Sequence, residues 1–220
     1  MVKILLEQEE VDPDKPDNDG WTPLTYAAEF GYEGVVKMLL EREEVNPDKP
    51  DKCGWTPLTH AADSGHARVV KILLERGEVN PDKLGNNGWT PLMYVAWAGS
   101  AGVVKILLEQ EEVNPDKPNK WGRTPLSYAA LSGHEGVVKI LLEREEVNPD
   151  MSDEDGRTPL SYAAELGREG VLKILLEQEE VNPDKSDHTG RTPLSMATKN
   201  GHERVAALLR SRKAAIPSTI

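Results

Sequence analysis

The tripeptide Thr-Pro-Leu begins at Thr22, Thr56, Thr90, Thr124, Thr158 and Thr192, each copy 34 residues after the last. A glycine stands two residues before each threonine: Gly20, Gly54, Gly88, Gly122, Gly156 and Gly190. A second glycine follows each threonine by nine residues, at Gly31, Gly65, Gly99, Gly133, Gly167 and Gly201. A short apolar run comes next, as in Val35-Val36 and Met38-Leu39-Leu40. Several positions held in register at one period restrict the chain to an array of equal units, each packed on its sequence neighbours.

The residues also define the unit. The Thr22 hydroxyl is placed to accept an orphan backbone N–H at a helix start, and Pro23 sits where a missing N–H costs nothing. This first helix is short and stops near Gly31, which can take the left-handed conformation. Leu24, Ala27 and Ala28 share one face, and the alanines let a neighbouring helix approach closely. A second helix follows, with Val35, Val36, Leu39 and Leu40 as its apolar stripe and Lys37 and Glu41 outside. It ends before Val45-Asn46-Pro47-Asp48, because Pro47 disfavours helix at the residue before it. The stretch from Pro47 to Gly54, rich in Pro, Asp, Lys and Gly, is a turn or finger. Each unit therefore reads helix, turn, helix, finger, and only stacking buries its apolar faces.

Asp17-Asn18-Asp19-Gly20-Trp21-Thr22-Pro23-Leu24, followed by Ala27-Ala28, Gly31, Val35-Val36 and Leu39-Leu40, resembles the ankyrin repeat. The resemblance implies an all-α solenoid of paired antiparallel helices with projecting hairpin fingers, a curved array, and protein binding on its concave face. Three features depart from that pattern. The period is 34 rather than 33, with the exit of the second helix one residue shorter and the Val-Asn-Pro-Asp segment two longer. Thr25, Thr59, Met93, Ser127, Ser161 and Ser195 stand where the family has histidine after Thr-Pro-Leu. The glycine after the second helix survives only at Gly77. These departures bear on the hairpin geometry and the hydrogen bonds between repeats.

One continuous solenoid domain is expected. A partial repeat (second helix only) covers 1–16, and full repeats cover 17–50, 51–84, 85–118, 119–152 and 153–186. A capping repeat covers 187–213 and a tail 214–220. In the partial repeat Val2, Leu5 and Leu6 lack part of their packing partner, which points to a longer parent chain with Met1 supplied as a start. At the other end Arg210 replaces the second leucine of the stripe, with Arg212 and Lys213 after it, as a polar outer cap requires.

Comparison among the copies separates framework from free positions. The free ones are the two residues before the finger glycine, the one after it, and the two after Ala-Ala; by the ankyrin resemblance they line the concave face. All five tryptophans (Trp21, Trp55, Trp89, Trp97, Trp121) and the single phenylalanine, Phe30, belong to this set. In the later copies the residue after the glycine is Arg123, Arg157 or Arg191. Tryptophan and arginine are the commonest interface anchors, so these nine residues are the candidate protein-binding set. Trp21, Trp55 and Trp89 are also placed to pack along adjacent fingers, and both readings stand. Trp97 and Trp121 depart from their sister copies and favour binding. Tyr26, Tyr94, Tyr128 and Tyr162 share one phase and read as framework, and Cys53 reads as an incidental exposed thiol at a finger tip.

Other functions find little support. A net charge of −12 disfavours nucleic-acid and anionic-membrane partners, which need basic surfaces. Glu41, Glu43, Glu44 and Asp48, with their equivalents, read as a solvated acidic ridge that keeps the array soluble. No apolar run approaches the roughly 20 residues that cross a bilayer, and the amino terminus is not a secretory signal. One cysteine excludes an intramolecular disulfide and points to a reducing, intracellular and cytoplasmic setting. His66, His134 and His202 share a phase and read as framework, while His60 and His188 look isolated. Ser127, Ser161 and Ser195 also share one phase, so no catalytic triad can be nominated. The spacing offers no zinc site, phosphate loop or calcium loop. The expectation is a monomeric, non-catalytic scaffold module without cofactor or metal, whose partner is an unidentified protein. The rival expectation is a spacer or regulatory arm of a larger signalling or receptor-type protein.

Overall fold

The structure, a computed structural model, describes residues 11–215. Among the described residues it holds twelve α-helices and no strand. They form two compact units, Met1–Asn114 and Pro115–Ile220. In the first unit the helices are α1 (Pro23–Glu29), α2 (Glu33–Leu40), α3 (Pro57–Asp63), α4 (Ala67–Leu74), α5 (Pro91–Ala98) and α6 (Ala101–Leu108). In the second they are α7 (Pro125–Ser132), α8 (Glu135–Leu142), α9 (Pro159–Glu165), α10 (Glu169–Leu176), α11 (Pro193–Lys199) and α12 (Glu203–Ala215). Val2, Leu5, Leu6 and the 1–16 half repeat fall largely or wholly outside the described residues, as do the Lys213 side chain and 216–220.

Each odd-numbered helix starts as its sequence dictates. Thr22 Oγ1 accepts the Thr25 backbone N–H at 3.1 Å, and the other five Thr-Pro-Leu threonines make the same bond. The hydroxyls that replace the family histidine have a local use. Thr25, Ser127 and Ser161 accept the backbone N–H of the capping threonine in return, which closes a reciprocal box. Such a cap contributes about 1 kcal/mol per helix.

Packing then follows two layers in each unit. In the first unit α1 lies on α3 and α3 on α5, while α2 lies on α4 and α4 on α6. In the second, α7, α9 and α11 form one layer and α8, α10 and α12 the other. Leu24, Ala27 and Ala28 are at most 2% exposed, and their equivalents through Ala164 are equally buried. On α6 all four stripe residues, Val103, Val104, Leu107 and Leu108, are buried, whereas α2, α4, α8 and α10 each leave one of the four half-buried: Val35, Leu74, Leu142 and Leu176. The last described helix, α12, is apolar on one side and charged on the other. Val205, Ala206 and Leu209 are buried, and Arg210 and Arg212 are exposed.

The Val-Asn-Pro-Asp-Lys segment has a structure of its own. Asn46, Asn80, Asn148 and Asn182 each accept the backbone N–H two residues on, at 2.9–3.0 Å, which tightens the turn. The lysine then reaches back one copy. Lys49 Nζ donates to the carbonyl and carboxylate of Asp14, Lys83 to those of Asp48, and Lys185 to those of Asp150, all at 2.7–2.9 Å. Asp48 is therefore not part of a solvated acidic ridge: its carboxylate is committed to the next repeat. The glutamates Glu41, Glu43 and Glu44 are exposed. Each lysine link is partly solvated, so it contributes no more than about 1 kcal/mol.

The fingers are tight turns joined by main chain. Asp51 N–H donates to Trp55 O at 2.8 Å, and Gly54 N–H to Asp51 O at 3.0 Å. Neighbouring fingers are linked by Lys52 N–H to Asp19 O (3.1 Å) and Asn86 N–H to Cys53 O (2.9 Å). In the second unit Glu154 N–H donates to Trp121 O and His188 N–H to Asp155 O. The departures from the family pattern thus leave finger-to-finger bonding in place. Gly54 adopts φ +82°, and a Cβ there would sit 2.8 Å from the Asn86 backbone nitrogen that makes this link. Gly54→Ala should therefore cost about 1–3 kcal/mol in a denaturant melt, from left-handed strain and loss of the link.

Candidate protein-binding face

One side of each unit is built by the fingers and the odd-numbered helices, and its geometry starts from the first residue of each finger. Asp17 Oδ1 accepts the N–H groups of Asp19 and Trp21, both at 2.9 Å, while Oδ2 accepts the Tyr26 hydroxyl at 2.7 Å. The tyrosine phase is therefore a tie between finger and helix. Asn119 Nδ2 donates to the Tyr128 hydroxyl at 2.7 Å, and the Tyr162 hydroxyl donates to Asp153 Oδ2. Burial and this bond hold the Tyr162 phenol well above its ordinary pKa. In the third copy the finger residue is Gly85, and Asn87 takes over: it accepts the Trp89 N–H and donates to the Tyr94 hydroxyl at 2.8 Å. Tyr94, Tyr128 and Tyr162 are buried, in keeping with framework, whereas Tyr26 is 44% exposed.

His60 is not isolated. It occupies the tyrosine phase of the second copy, is 3% exposed, and lies between two carboxylates. Its Nδ1 is 3.1 Å from Glu29 Oε2 and its Nε2 is 3.1 Å from Asp51 Oδ2. The sequence signal was available: His60 stands 34 residues after Tyr26. His66 and His202 do serve as framework, each bonded through Nε2 to the carbonyl of the residue closing the previous first helix, Glu29 or Glu165.

His60 also continues a run of rings along the first unit. Centroid distances are 4.9 Å for Tyr26–Trp21, 4.4 Å for Trp21–His60 and 5.1 Å for His60–Trp55. The run goes on through Trp55–Tyr94 at 4.3 Å, Tyr94–Trp89 at 4.9 Å and Trp89–Trp97 at 6.1 Å. Trp21, Trp55 and Trp89 are half-buried members of this run. They pack between fingers while keeping one edge on the surface. Tilted and edge-on pairs at these separations add about 0.5–1.5 kcal/mol each beyond area burial.

In the second unit arginine takes the tryptophan position. Arg123 Nε is 3.2 Å from Asp153 Oδ2, and the Arg123 and Arg157 guanidinium centres lie 5.2 and 5.7 Å from the Tyr162 ring. Arg157 pairs with Glu165 at 2.9 Å and Arg191 with Asp187 at 2.7 Å. Burial alone would raise the Asp187 pKa, but the bonds from Thr189 and Arg191 outweigh it and hold the carboxyl far below the usual range. All three arginines are half-buried and internally paired.

Three candidate residues are the most exposed of the nine: Phe30 is 57% exposed, Trp97, at the end of the ring run, 50% and Trp121 40%. Phe30 stacks on Tyr32, itself 58% exposed, at 6.0 Å, and Lys120 Nζ lies 4.6 Å from the Trp121 ring. The sequence reading passed over Tyr32 and Leu166, the latter 41% exposed. Leu166 shares the Phe30 phase and could have been found there. The open grooves lie elsewhere. One of 230 Å³ runs past Gly31, Gly65 and His66, and one of 340 Å³ past Gly167, Gly201 and His202. These occupy one repeat phase, so stacking accounts for both. Among the described residues no group of three or more His, Cys, Asp or Glu is arranged to hold a metal ion. No described helix is long and apolar enough to cross a membrane.

A family model described as ankyrin repeats (three copies) matches residues 1–51, 43–118, 78–153, 111–187 and 145–219 in overlapping windows. No curated protein matches the chain. Proteins of this family generally serve as protein–protein interaction modules and are typically non-catalytic. The paired helices, the capped Thr-Pro-Leu starts, the linked fingers and the match across residues 1–219 lead to one conclusion: this chain belongs to the ankyrin repeat family.

Proposed function

We propose that the chain is a protein-binding module whose partner lies on the side formed by fingers and first helices, the concave side in this family. The observation that carries this reading is the exposure of Phe30, Trp97 and Trp121 at positions that no stacking rule requires. Large rings left half in water gain most when a partner covers them. Trp21, Trp55 and Trp89 back these anchors in the first unit, and Arg123, Arg157 and Arg191 edge the second. Because the ring run and the arginine pairs are already formed, little side-chain ordering has to accompany binding.

The test is capture from a cell extract by the wild-type chain beside a Trp97→Ala/Trp121→Ala variant with an unchanged melting curve. A protein retained by the first and at least tenfold depleted on the second is the expected result. Equal capture by both baits would remove these residues from the interface.

A further inference from the structure

The first unit's face carries carboxylates as well as rings, and the two are interleaved. Glu29, Asp63 and Trp97 occupy one phase in successive copies, at the ends of α1, α3 and α5. Glu29 and Asp63 are half-buried, and Phe30 follows Glu29 directly. The same unit carries the series Trp21–His60–Trp55–Tyr94–Trp89, which touches Glu29 through His60. Tyr94 feels the charge of Asp63, and Asp63 that of Glu29. Burial and the Glu29 charge both push the Asp63 carboxyl above the ordinary range, with His60 opposing them weakly. Among the described residues no arginine or lysine pairs with Glu29 or Asp63, and the Glu29 carboxylate is met only by His60 Nδ1 at 3.1 Å. In the second unit the matching phase carries Leu131, Glu165 and Lys199, and Glu165 is answered by Arg157. The two units therefore present opposite chemistry. In the second, arginines answer the finger-side carboxylates from within; in the first, rings stand where those arginines would be.

A ring face beside a carboxylate suits one kind of side chain. A cation gains from the ring quadrupole and from the carboxylate together, and a long aliphatic stem can lie along the rings. An anionic side chain meets Glu29 and Asp63, and a purely apolar one covers the Asp63 carboxylate without supplying it a partner. We infer that the first unit's face is a docking site for an extended, arginine- or lysine-bearing peptide segment of the partner. Its cationic side chains lie over Trp97 and Phe30 and pair with Asp63 and Glu29. This rests on the protein-binding reading above and adds the chemistry of the segment.

The direct probe is a fluorescein-labelled ten-residue peptide of alternating glycine and arginine, titrated with the full chain and followed by anisotropy. Peptides with glutamine or glutamate in place of arginine serve as comparisons. Saturable binding of the arginine peptide is expected, with the glutamine peptide at least tenfold weaker and the glutamate peptide not bound. Trp97→Ala and Asp63→Asn should each weaken the arginine peptide about 5- to 20-fold. Glu43→Gln/Glu44→Gln, on the exposed glutamate ridge, should change it less than twofold. Every variant is first matched to wild type by circular dichroism and melting temperature. If the ridge variant weakens binding as much as Asp63→Asn, the peptide lies on the ridge and the inference fails. It fails equally if Trp97→Ala has no effect, or if the glutamine peptide binds as well as the arginine one. Loss of the inference in this way leaves the extract capture intact, whereas loss of the Trp97/Trp121 effect in that capture removes the broader reading itself.

Discussion

Leu107→Ala should destabilise the protein by about 2–5 kcal/mol, read as a shift of the denaturant midpoint at unchanged slope. Leu107 is fully buried on α6, in the layer where α6 lies on α4. Truncation there forfeits the transfer of the side chain from water and leaves a cavity that the surrounding helices close only in part. Leu74, the second leucine of the same motif on α4, is only half-buried. Leu74→Ala should cost under half as much as Leu107→Ala. Equal losses would mean that the stripe of α4 is four residues wide, as periodicity alone suggests, and that the half-burial of Leu74 described above is wrong. A comparable truncation at Leu5, in the amino-terminal half repeat, should cost much less than Leu107→Ala, though that position lies outside the described residues.

The second large effect is expected at a polar residue. The Asp153 side chain is 1% exposed and satisfies four donors. Oδ1 accepts the Asp155 and Arg157 N–H groups at 3.0 and 2.9 Å, and Oδ2 accepts the Tyr162 hydroxyl and Arg123 Nε. Asp153→Ala strands the buried Tyr162 hydroxyl and removes the counter-charge of Arg123. About 2–4 kcal/mol should be lost, since orphaned buried donors cost more than a formed bond returns. Asp153→Asn should recover most of it. The fourth copy already uses Asn119 in this role, accepting the Trp121 and Arg123 N–H groups and donating to Tyr128. If the asparagine variant unfolds as readily as the alanine one, the finger is held by charge rather than by hydrogen-bond geometry.

Both predictions show where sequence reading is strong. The caps at Thr22 and its equivalents, the left-handed glycines, the paired helices and the family were all legible, because each rests on local chemistry repeated at one spacing. The His60 environment was not. Asp51 belongs to its own finger, as Asp17 does for Tyr26, but Glu29 meets it only when the second copy is stacked on the first, although its place in the tyrosine phase was visible. The Lys49–Asp14 link was hidden in the same way: in sequence both residues look like solvated charge, and only stacking brings them to 2.8 Å.

The candidate face divides along the same line. Sequence comparison among copies picked out all five tryptophans and Phe30 as free of framework duty, but it left Trp21, Trp55 and Trp89 equally fit for binding or packing. The structure distributes them: these three sit half-buried in a run of rings, while Phe30, Trp97 and Trp121 are exposed. The 34-residue period by itself determined what each unit is and that units must stack, since capping, glycine geometry and apolar spacing act within one repeat. Which side chains are used up by that stacking and which remain for a partner was decided only by tertiary structure. Exposure depends on the residue one copy away, and its distance and direction are set by how the two helix layers pack.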